Sequence, residues 1–389
     1  MSFSIETLSI APLKELTDQL HAKVNLSRSQ VLHACEQLTS QEINDTEKAS
    51  FLAALRDKGE TGEEVGYFAE AFLAMALAPA IQVGEKPTID LCGTGGDRLE
   101  LINVSTTAMF VVAAADVVVL KHGNRAITSR SGGADVLEKL GIPVTDPADQ
   151  MIAAIEETGI GFLYAPLYHP AFQRIAPVRK QLAEQGIATI FNLLGPLLNP
   201  LRPEFQLVGV FSNAILEKYA IALSQLGRRR AWVIHGSLPG GSGMDEISPL
   251  GETQVHEVKE KSLNYFHLFP EQLGIHPTNL HDLRGGDPKT NAKILEAIIS
   301  GNERGPRREF VLLNAAAGLV IAGLAPKMES GLRLAADLID SGKAAAKLEQ
   351  FRRFFKPEGP APARPFQALA ARGAHIPYSL SPLTSHRAD

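Results

Sequence analysis

The sequence has few of the features that mark secreted, zinc-binding or membrane proteins. It contains two cysteines, Cys35 and Cys92, which are too few for a disulfide framework or a zinc cluster, and we expect two free thiols in a reducing compartment. The N-terminal segment lacks a cationic start followed by an apolar core, so it is not typical of a secretory signal. The most apolar stretch, from Met109 to Leu120, is interrupted by Asp116 and is well short of the roughly 20 residues of a membrane helix. These absences predict a soluble, cytoplasmic protein.

An excess of basic residues is also missing. Lysine and arginine together number 38 against 43 aspartates and glutamates, giving a net charge of −5. Such a balance predicts no broad surface for nucleic acid or anionic lipid. A bound phosphate would therefore need a local pocket. The hydrophobic fraction of 45% and the length of 389 residues are ordinary for a globular chain of about two domains.

The periodicity of apolar residues changes near Lys86. Before it, amphipathic helical patterns predominate, with Ser27 or Ser29 as a candidate cap and Gly59 as a helix end. After it, short runs that are apolar throughout alternate with helical patterns, which favours a parallel sheet covered on both faces. We predict an α/β fold with a small helical domain over residues 1–82, followed by a larger α/β domain that extends to residue 355. Residues 356–389 are rich in proline and alanine and are predicted to form an extended tail.

Three glycine-bearing turns follow strand candidates, and such turns meet at one edge of a parallel sheet. The first is Gly93–Asp97, after which a helix begins near residues 103–106. Glycines let backbone amides approach an anion closely, and a helix N-terminus adds a favourable dipole. The turn therefore suits a phosphate or diphosphate, although a simple strand-to-helix turn capped by Asn103 or Ser105 explains the same residues.

The second turn, Lys121–Arg125, places cations and a histidine around Gly123 at the end of an apolar run. Buried cations are costly without an anion or a solvent-filled cleft, so Lys121 and Arg125 suit phosphate oxygens. A solvated basic turn is the alternative. The third turn ends in Asp245–Glu246, adjacent carboxylates that suit a hard divalent cation such as Mg²⁺. A helix-capping pair is the alternative there.

Six segments in order resemble the anthranilate phosphoribosyltransferase family over roughly residues 10–355. They are GTGGD, NxST, KHGNRA, APxYHPAF followed by APVR, FNLLGPLLNP and GMDEIS. The resemblance implies a nucleoside phosphorylase/phosphoribosyltransferase-like fold and a homodimer associating through helical domains. It also implies that a segment at about 172–200 returns to the helical domain, so that the α/β domain comprises residues 83–171 and 201–355. It implies transfer of the phosphoribosyl group of phosphoribosyl diphosphate (PRPP) to anthranilate with Mg²⁺, and no membrane or nucleic-acid partner.

The resemblance also implies site residues, position by position. The PRPP-binding residues would be Gly93, Gly96, Asp97, Asn103, Ser105, Thr106, Lys121, His122, Gly123, Asn124, Arg125 and Ser129. Anthranilate would contact Gly93, Asn124 and Arg179, and the metal ligands would be Ser105, Asp245 and Glu246.

The catalytic residues implied are Lys121 and His122. Lys121 would offset charge that develops on the departing diphosphate. His122 would polarise a group or shuttle a proton, and shaping of the loop is an equal alternative. Because the aniline nitrogen is neutral at pH 7, no strong general base is needed, and positioning of two substrates supplies much of the acceleration.

Departures from the family pattern leave other functions open. Arg98, Gly133 and Ala188 stand where the family commonly has glycine, serine and arginine. The alternatives are another aromatic amine as acceptor, a pyrimidine nucleoside phosphorylase-like enzyme, and a non-catalytic binding protein. A Mg²⁺ requirement separates the phosphorylase from the transferase, since the phosphorylase would not need the carboxylate pair.

Overall fold

The computed structural model describes residues 11–96, 99–126, 130–145 and 147–356. The predicted site residues Asp97 and Ser129, together with Arg98 and residues 357–389 of the tail, lie outside the described residues. The N-terminal part is helical, as predicted. Its four helices are α1 (Leu13–His21), α2 (Arg28–Thr39), α3 (Asp45–Lys58) and α4 (Gly62–Ala74).

Local sequence explains where these helices begin and end. The hydroxyl of Ser27 accepts a hydrogen bond from the Gln30 backbone, and the Gln30 side chain accepts one from the Ser27 backbone, so α2 begins at a capping box. Such a cap contributes about 1 kcal/mol. Gly59, with φ of 87°, follows the end of α3, where a left-handed backbone favours glycine. Both predictions about these termini are confirmed.

After α4, the described residues contain a mainly parallel sheet of eight strands. In chain order its strands are β1 (Thr88–Gly93), β2 (Val118–Gly123), β3 (Ile160–Tyr164), β4 (Phe205–Gly209), β5 (Arg230–Ser237), β6 (Gly243–Met244), β7 (Thr253–Lys259) and β8 (Ser262–Leu268). The spatial order is β3-β2-β1-β4-β5-β7-β8, with β6 paired to β5. β1 to β5 run parallel, whereas β6 and β7 are antiparallel to β5 and β8 is antiparallel to β7.

Helices cover the two faces of this sheet. They are α5 (Val104–Ala113), α6 (Gly133–Lys139), α7 (Ala148–Thr158), α8 (Ala165–Tyr168), α9 (Ala171–Glu184), α10 (Phe191–Leu194), α11 (Leu216–Gln225), α12 (Pro288–Ile299), α13 (Pro306–Ile321), α14 (Met328–Asp340) and α15 (Lys343–Phe354). On one face, α5 and α13 pack on β1 and β4. On the other, one continuous core joins α1–α4, α9–α11 and the strands.

The segment that carries α9 and α10 packs beside the N-terminal helices. α9 contacts α2 and α3, and α10 contacts α4. Ile175 and Val178 on α9 are fully buried in the core that also contains Leu55 of α3. The domain boundaries stay predictions. Within the described ranges, no helix is both long and apolar enough to cross a membrane.

Candidate active site

The first and third predicted loops meet beyond the ends of β1 and β4. These strands pair in register so that Gly93 lies beside Gly209. The backbone N–H of Thr94 donates to the Gly209 carbonyl at 2.9 Å, and the N–H of Gly95 donates to the Asp245 carboxylate at 2.7 Å. The predicted metal ligand Asp245 is therefore in direct contact with the predicted phosphate-binding turn, although 150 residues separate them.

The second loop reaches the same place through Lys121. This side chain is buried, with 4% exposed, and its ammonium donates to the Leu91 carbonyl and to the Ser105 hydroxyl at 3.0 Å. Ser105 lies in the first turn of α5, where backbone N–H groups and the helix dipole favour an anion. Lys121 and α5 thus bring positive charge beside the turn after β1.

Asn103 joins the start of α5 to two other segments. Its side-chain N–H donates to the Ser131 backbone carbonyl at 3.1 Å. Its side-chain oxygen accepts a hydrogen bond from the side chain of Asn291 on α12 at 2.7 Å. Thr106 is buried, and a methyl group on Gly133 would lie 2.9 Å from its hydroxyl. Gly133, which stands where the family commonly has serine, therefore leaves room for the Thr106 hydroxyl.

Arg125 faces acidic residues of α6. Its guanidinium pairs with Asp135 at 3.1 Å and Glu138 at 2.5 Å, with 41% of the side chain exposed. The bond to Glu138 raises the pKa of the guanidinium above its usual range. Asn124 is exposed, and its side-chain oxygen accepts from the Arg125 backbone at 2.8 Å. A diphosphate bound by Arg125 would compete with these two carboxylates for its N–H groups.

Arg179 on α9 lies over two aromatic rings that pack against each other. Its guanidinium carbon is 4.9 Å from the ring centroid of Phe191 and 5.6 Å from that of Phe172. Burial lowers its pKa. A partly buried guanidinium favours an anion that can accept two parallel N–H bonds. A guanidinium beside two aromatic rings therefore suits a planar aromatic carboxylate.

Two buried histidines border the same aromatic cluster. The rings of His122 and His169 are 5.3 Å apart, and that of His169 is 5.6 Å from Phe172. Burial, with a smaller effect of His169, lowers the pKa of His122 to about 3, and burial lowers that of His169 to about 4. Both are neutral at pH 7, and an imidazole with so low a pKa is a weak base. A catalytic role for His122 stays a prediction.

Sequence reasoning missed three residues that shape this site. His169 and Phe172 belong to the YHPAF segment, which carried the family resemblance without an assigned role. Asp90 is buried beneath the loops, where it accepts from the His122 backbone at 3.2 Å and from the Asn199 amide at 3.0 Å. Burial raises its pKa, against the opposing effect of Lys121. A single carboxylate inside an apolar strand, as in TIDLC, is the signal that could have revealed it.

Acid should destabilise the fold through the two buried histidines. An unfolded imidazole has a pKa near 6.5, whereas the folded values are about 3 and about 4. Between roughly pH 4 and 6.5 the unfolded chain binds more protons, so stability falls as the pH drops. At pH 5 we expect a loss of about 2 kcal/mol per histidine relative to pH 7.5. The free energy of unfolding, measured in urea at several pH values, should depend less on pH in His169→Phe than in wild type. Replacement of exposed His281 is the control and should leave that pH dependence unchanged. The same pH dependence in His169→Phe and wild type would contradict the expectation.

The donor set at the third loop fits Mg²⁺. Asp245 and Glu246 offer carboxylate oxygens and Ser105 a hydroxyl, the hard ligands that Mg²⁺ takes together with substrate phosphates. In the parts of the chain that the structure describes, no group of three His, Cys, Asp or Glu side chains is placed to hold a metal. A metal with one or two protein carboxylates needs no such group, so the site suits a cation that arrives with a phosphorylated substrate.

Comparison with known proteins identifies the family. Residues 85–345 match the model of the glycosyl transferase family a/b domain, and residues 14–76 match that of its helical bundle domain. The anthranilate phosphoribosyltransferase of Methanosarcina acetivorans is 42% identical over 374 residues, which is 94% of this chain and 98% of that one. The chain belongs to the anthranilate phosphoribosyltransferase family. The resemblance read from the six segments is confirmed.

Solved structures of the family confirm the predicted fold class. The anthranilate phosphoribosyltransferase of Thermus thermophilus superposes with a TM-score of 0.80 at 38% identity, over 87% of this chain and 98% of that one. The enzyme of Saccharomyces cerevisiae, solved in complex with PRPP and Mg, has a TM-score of 0.76 at 28% identity, over 89% of this chain and 98% of that one. Both domains of the family are therefore present in this chain.

Proposed function

We propose that this protein transfers the phosphoribosyl group of PRPP to anthranilate and releases diphosphate, in a reaction that needs Mg²⁺. The observation that carries the proposal is the contact of the Asp245 carboxylate with the N–H of Gly95 at 2.7 Å. It joins a candidate metal ligand to a candidate phosphate turn at the N-terminus of α5. Family membership and the S. cerevisiae relative bound to PRPP and Mg support the substrate assignment.

The chain offers separate places for the two substrates. The diphosphate end of PRPP would lie at the turn after β1, near Lys121 and the first turn of α5. Anthranilate would lie against Phe172 and Phe191, with its carboxylate on Arg179. His122 and His169 border this region as neutral, buried rings, and the aniline nitrogen of the acceptor is itself neutral at pH 7. The cationic guanidinium would face the carboxylate of anthranilate, and the two rings would face its apolar ring.

The reaction forms a bond from C1 of the ribose to the anthranilate nitrogen and breaks the bond from C1 to a diphosphate oxygen. The nitrogen loses its proton after attack, and the leaving group carries away the bonding electron pair. Bound Mg²⁺ would neutralise charge on the diphosphate. Asp245, Glu246 and Ser105 would hold the metal, while Lys121 and the α5 N-terminus favour the same negative charge. Holding both substrates in one cleft supplies the remaining acceleration.

A fluorescence assay tests the proposal. Purified protein mixed with PRPP, Mg²⁺ and anthranilate should consume anthranilate, seen as loss of its fluorescence, and removal of Mg²⁺ with EDTA should stop the loss. Turnover of pyrimidine nucleosides with phosphate, unaffected by EDTA, would instead indicate the phosphorylase alternative. Tight PRPP binding without consumption of anthranilate or of another aromatic amine would indicate a non-catalytic protein.

The family resemblance further supports a homodimer that associates through helical domains and a cytoplasmic location, and both stay predictions. Sedimentation of the purified protein across a range of concentrations tests the first. A single species of monomer mass at high concentration would contradict it.

A further inference from the structure

The segment that carries Asp245 and Glu246 lies directly against glycines of three neighbouring parallel strands. Gly93 ends β1, Gly209 ends β4, and Gly236 lies near the end of β5. Gly93 and Gly209 are partners in the sheet, and Gly209 pairs in turn with Ile234, two residues before Gly236. The three glycines therefore form a strip across the carboxyl edge of the sheet.

This strip has no space for side chains. A methyl group on Gly209 would lie 1.6 Å from the backbone oxygen of Asp245 and 2.3 Å from its carbonyl carbon. A methyl group on Gly93 would lie 2.3 Å from the Asp245 carboxylate, and one on Gly236 would lie 2.4 Å from the Glu246 backbone oxygen. Carbon atoms in contact are about 3.5–4.0 Å apart, so any of these methyl groups would displace the segment.

The glycines of β2 and β3 face a different kind of neighbour. A methyl group on Gly123 would meet the ring of Phe162 at 2.7 Å, and one on Gly161 would meet the side chain of Ile155 at 2.2 Å. Both neighbours are side chains, which can be displaced without movement of the backbone. Close backbone contact at Gly209 cannot be relieved in that way, because the Asp245 peptide itself must move.

His235 of β5 contacts the same segment two residues before Asp245. Its Nδ1 is 2.8 Å from the Val210 carbonyl, and a methyl group on Gly243 would lie 2.2 Å from its ring. The ring of His235 therefore packs against Gly243, and the carbonyl of the residue that follows β4 holds that ring.

We propose that Gly209 is a positioning residue for the metal ligands Asp245 and Glu246. Because Gly209 has no side chain, the Asp245 peptide can lie against β4. In that position the Asp245 carboxylate accepts the hydrogen bond of the Gly95 N–H. A methyl group would lift the Asp245 peptide and draw its carboxylate away from the phosphate turn. The inference rests on the proposed metal role of Asp245. Gly209 contacts neither substrate in this account and acts only through the segment above it.

Metal binding by Gly209→Ala tests the inference. Mn²⁺, which prefers the same oxygen ligands as Mg²⁺, is titrated into the full chain with PRPP present, and free Mn²⁺ is counted by electron paramagnetic resonance. Misplacement of a site by about 1 Å can cost a factor of about 100, so we expect Mn²⁺ affinity to fall at least about tenfold. The Mg²⁺ concentration that gives half-maximal activity should rise in Gly209→Ala by a similar factor. At saturating Mg²⁺, the kcat of the variant should return to within a few-fold of the wild-type value.

Gly161→Ala is the matched control, since it adds a methyl group to a strand glycine of the same sheet. It should leave Mn²⁺ affinity unchanged, even where its melting temperature falls as far as that of Gly209→Ala. Equal Mn²⁺ affinity in wild type and Gly209→Ala would overturn the inference and leave the proposed function intact. Absence of Mn²⁺ binding by wild type would overturn both. Should Gly209→Ala fail to fold, Mn²⁺ affinity is measured instead in Gly236→Ala, whose methyl group would meet the backbone of the same segment at Glu246. The same outcomes then support or overturn the inference.

Discussion

Turnover of PRPP and anthranilate is expected to fall about 1000-fold or more when Asp245→Asn and Glu246→Gln are combined, since loss of one preorganised electrostatic contact alone costs about 100- to 1000-fold. Neutral amides are poor ligands for Mg²⁺. The amide side chain introduced by Asp245→Asn would still offer an oxygen to the Gly95 N–H, which the carboxylate accepts at 2.7 Å, so the turn after β1 should keep its shape. Initial rates measured across a range of Mg²⁺ concentrations check the expectation.

A matched control removes two charges elsewhere. Glu156 and Glu157 are adjacent, exposed residues of α7, and Glu156 accepts the Gln82 N–H at 2.8 Å, a bond that glutamine can keep. Glu156→Gln with Glu157→Gln should retain the wild-type rate. Circular dichroism should show the same helix content in both double variants. A rate within tenfold of wild type in the Asp245→Asn, Glu246→Gln variant would refute the metal assignment.

Replacement of Arg179 by glutamine is expected to raise the KM for anthranilate by about 10- to 100-fold, because a charged hydrogen bond contributes about 1.5–3 kcal/mol. The guanidinium lies over Phe172 and Phe191, where burial lowers its pKa. A bound carboxylate would compensate this cationic charge, and glutamine would leave the carboxylate without its ionic partner. The KM for PRPP should change little.

Two comparisons separate recognition of the carboxylate from a change in packing. Arg174→Gln, on the same helix, removes an exposed guanidinium that donates to the Thr39 carbonyl at 3.3 Å, and it should leave the anthranilate KM unchanged. Anthranilamide, which lacks the negative charge, should be used equally poorly by wild type and Arg179→Gln. An equal rise in the KM for anthranilate and for PRPP in Arg179→Gln would contradict the assignment and point to a displaced α9.

The sequence by itself determined the fold class and the three loops, because both depend on local patterns. Apolar strands alternating with helices require burial on both faces, and glycines after such strands leave the backbone free to approach a ligand. The antiparallel strands β7 and β8 were not predicted. Strand pairing is decided by partners distant in the chain, and β8 is half exposed, so its pattern resembles that of many surface segments.

Only the tertiary structure decided which predicted residues meet. It placed Asp245 on the turn after β1, and it joined Lys121 to Ser105 through a hydrogen bond of 3.0 Å. It also turned Arg125 toward Asp135 and Glu138, and it buried His122 beside His169, which lowers both pKa values. These outcomes depend on distance, burial and the partner available in space. A linear pattern specifies which side chain a position carries, whereas the charge state and contacts of that side chain are set by neighbours that only folding brings together.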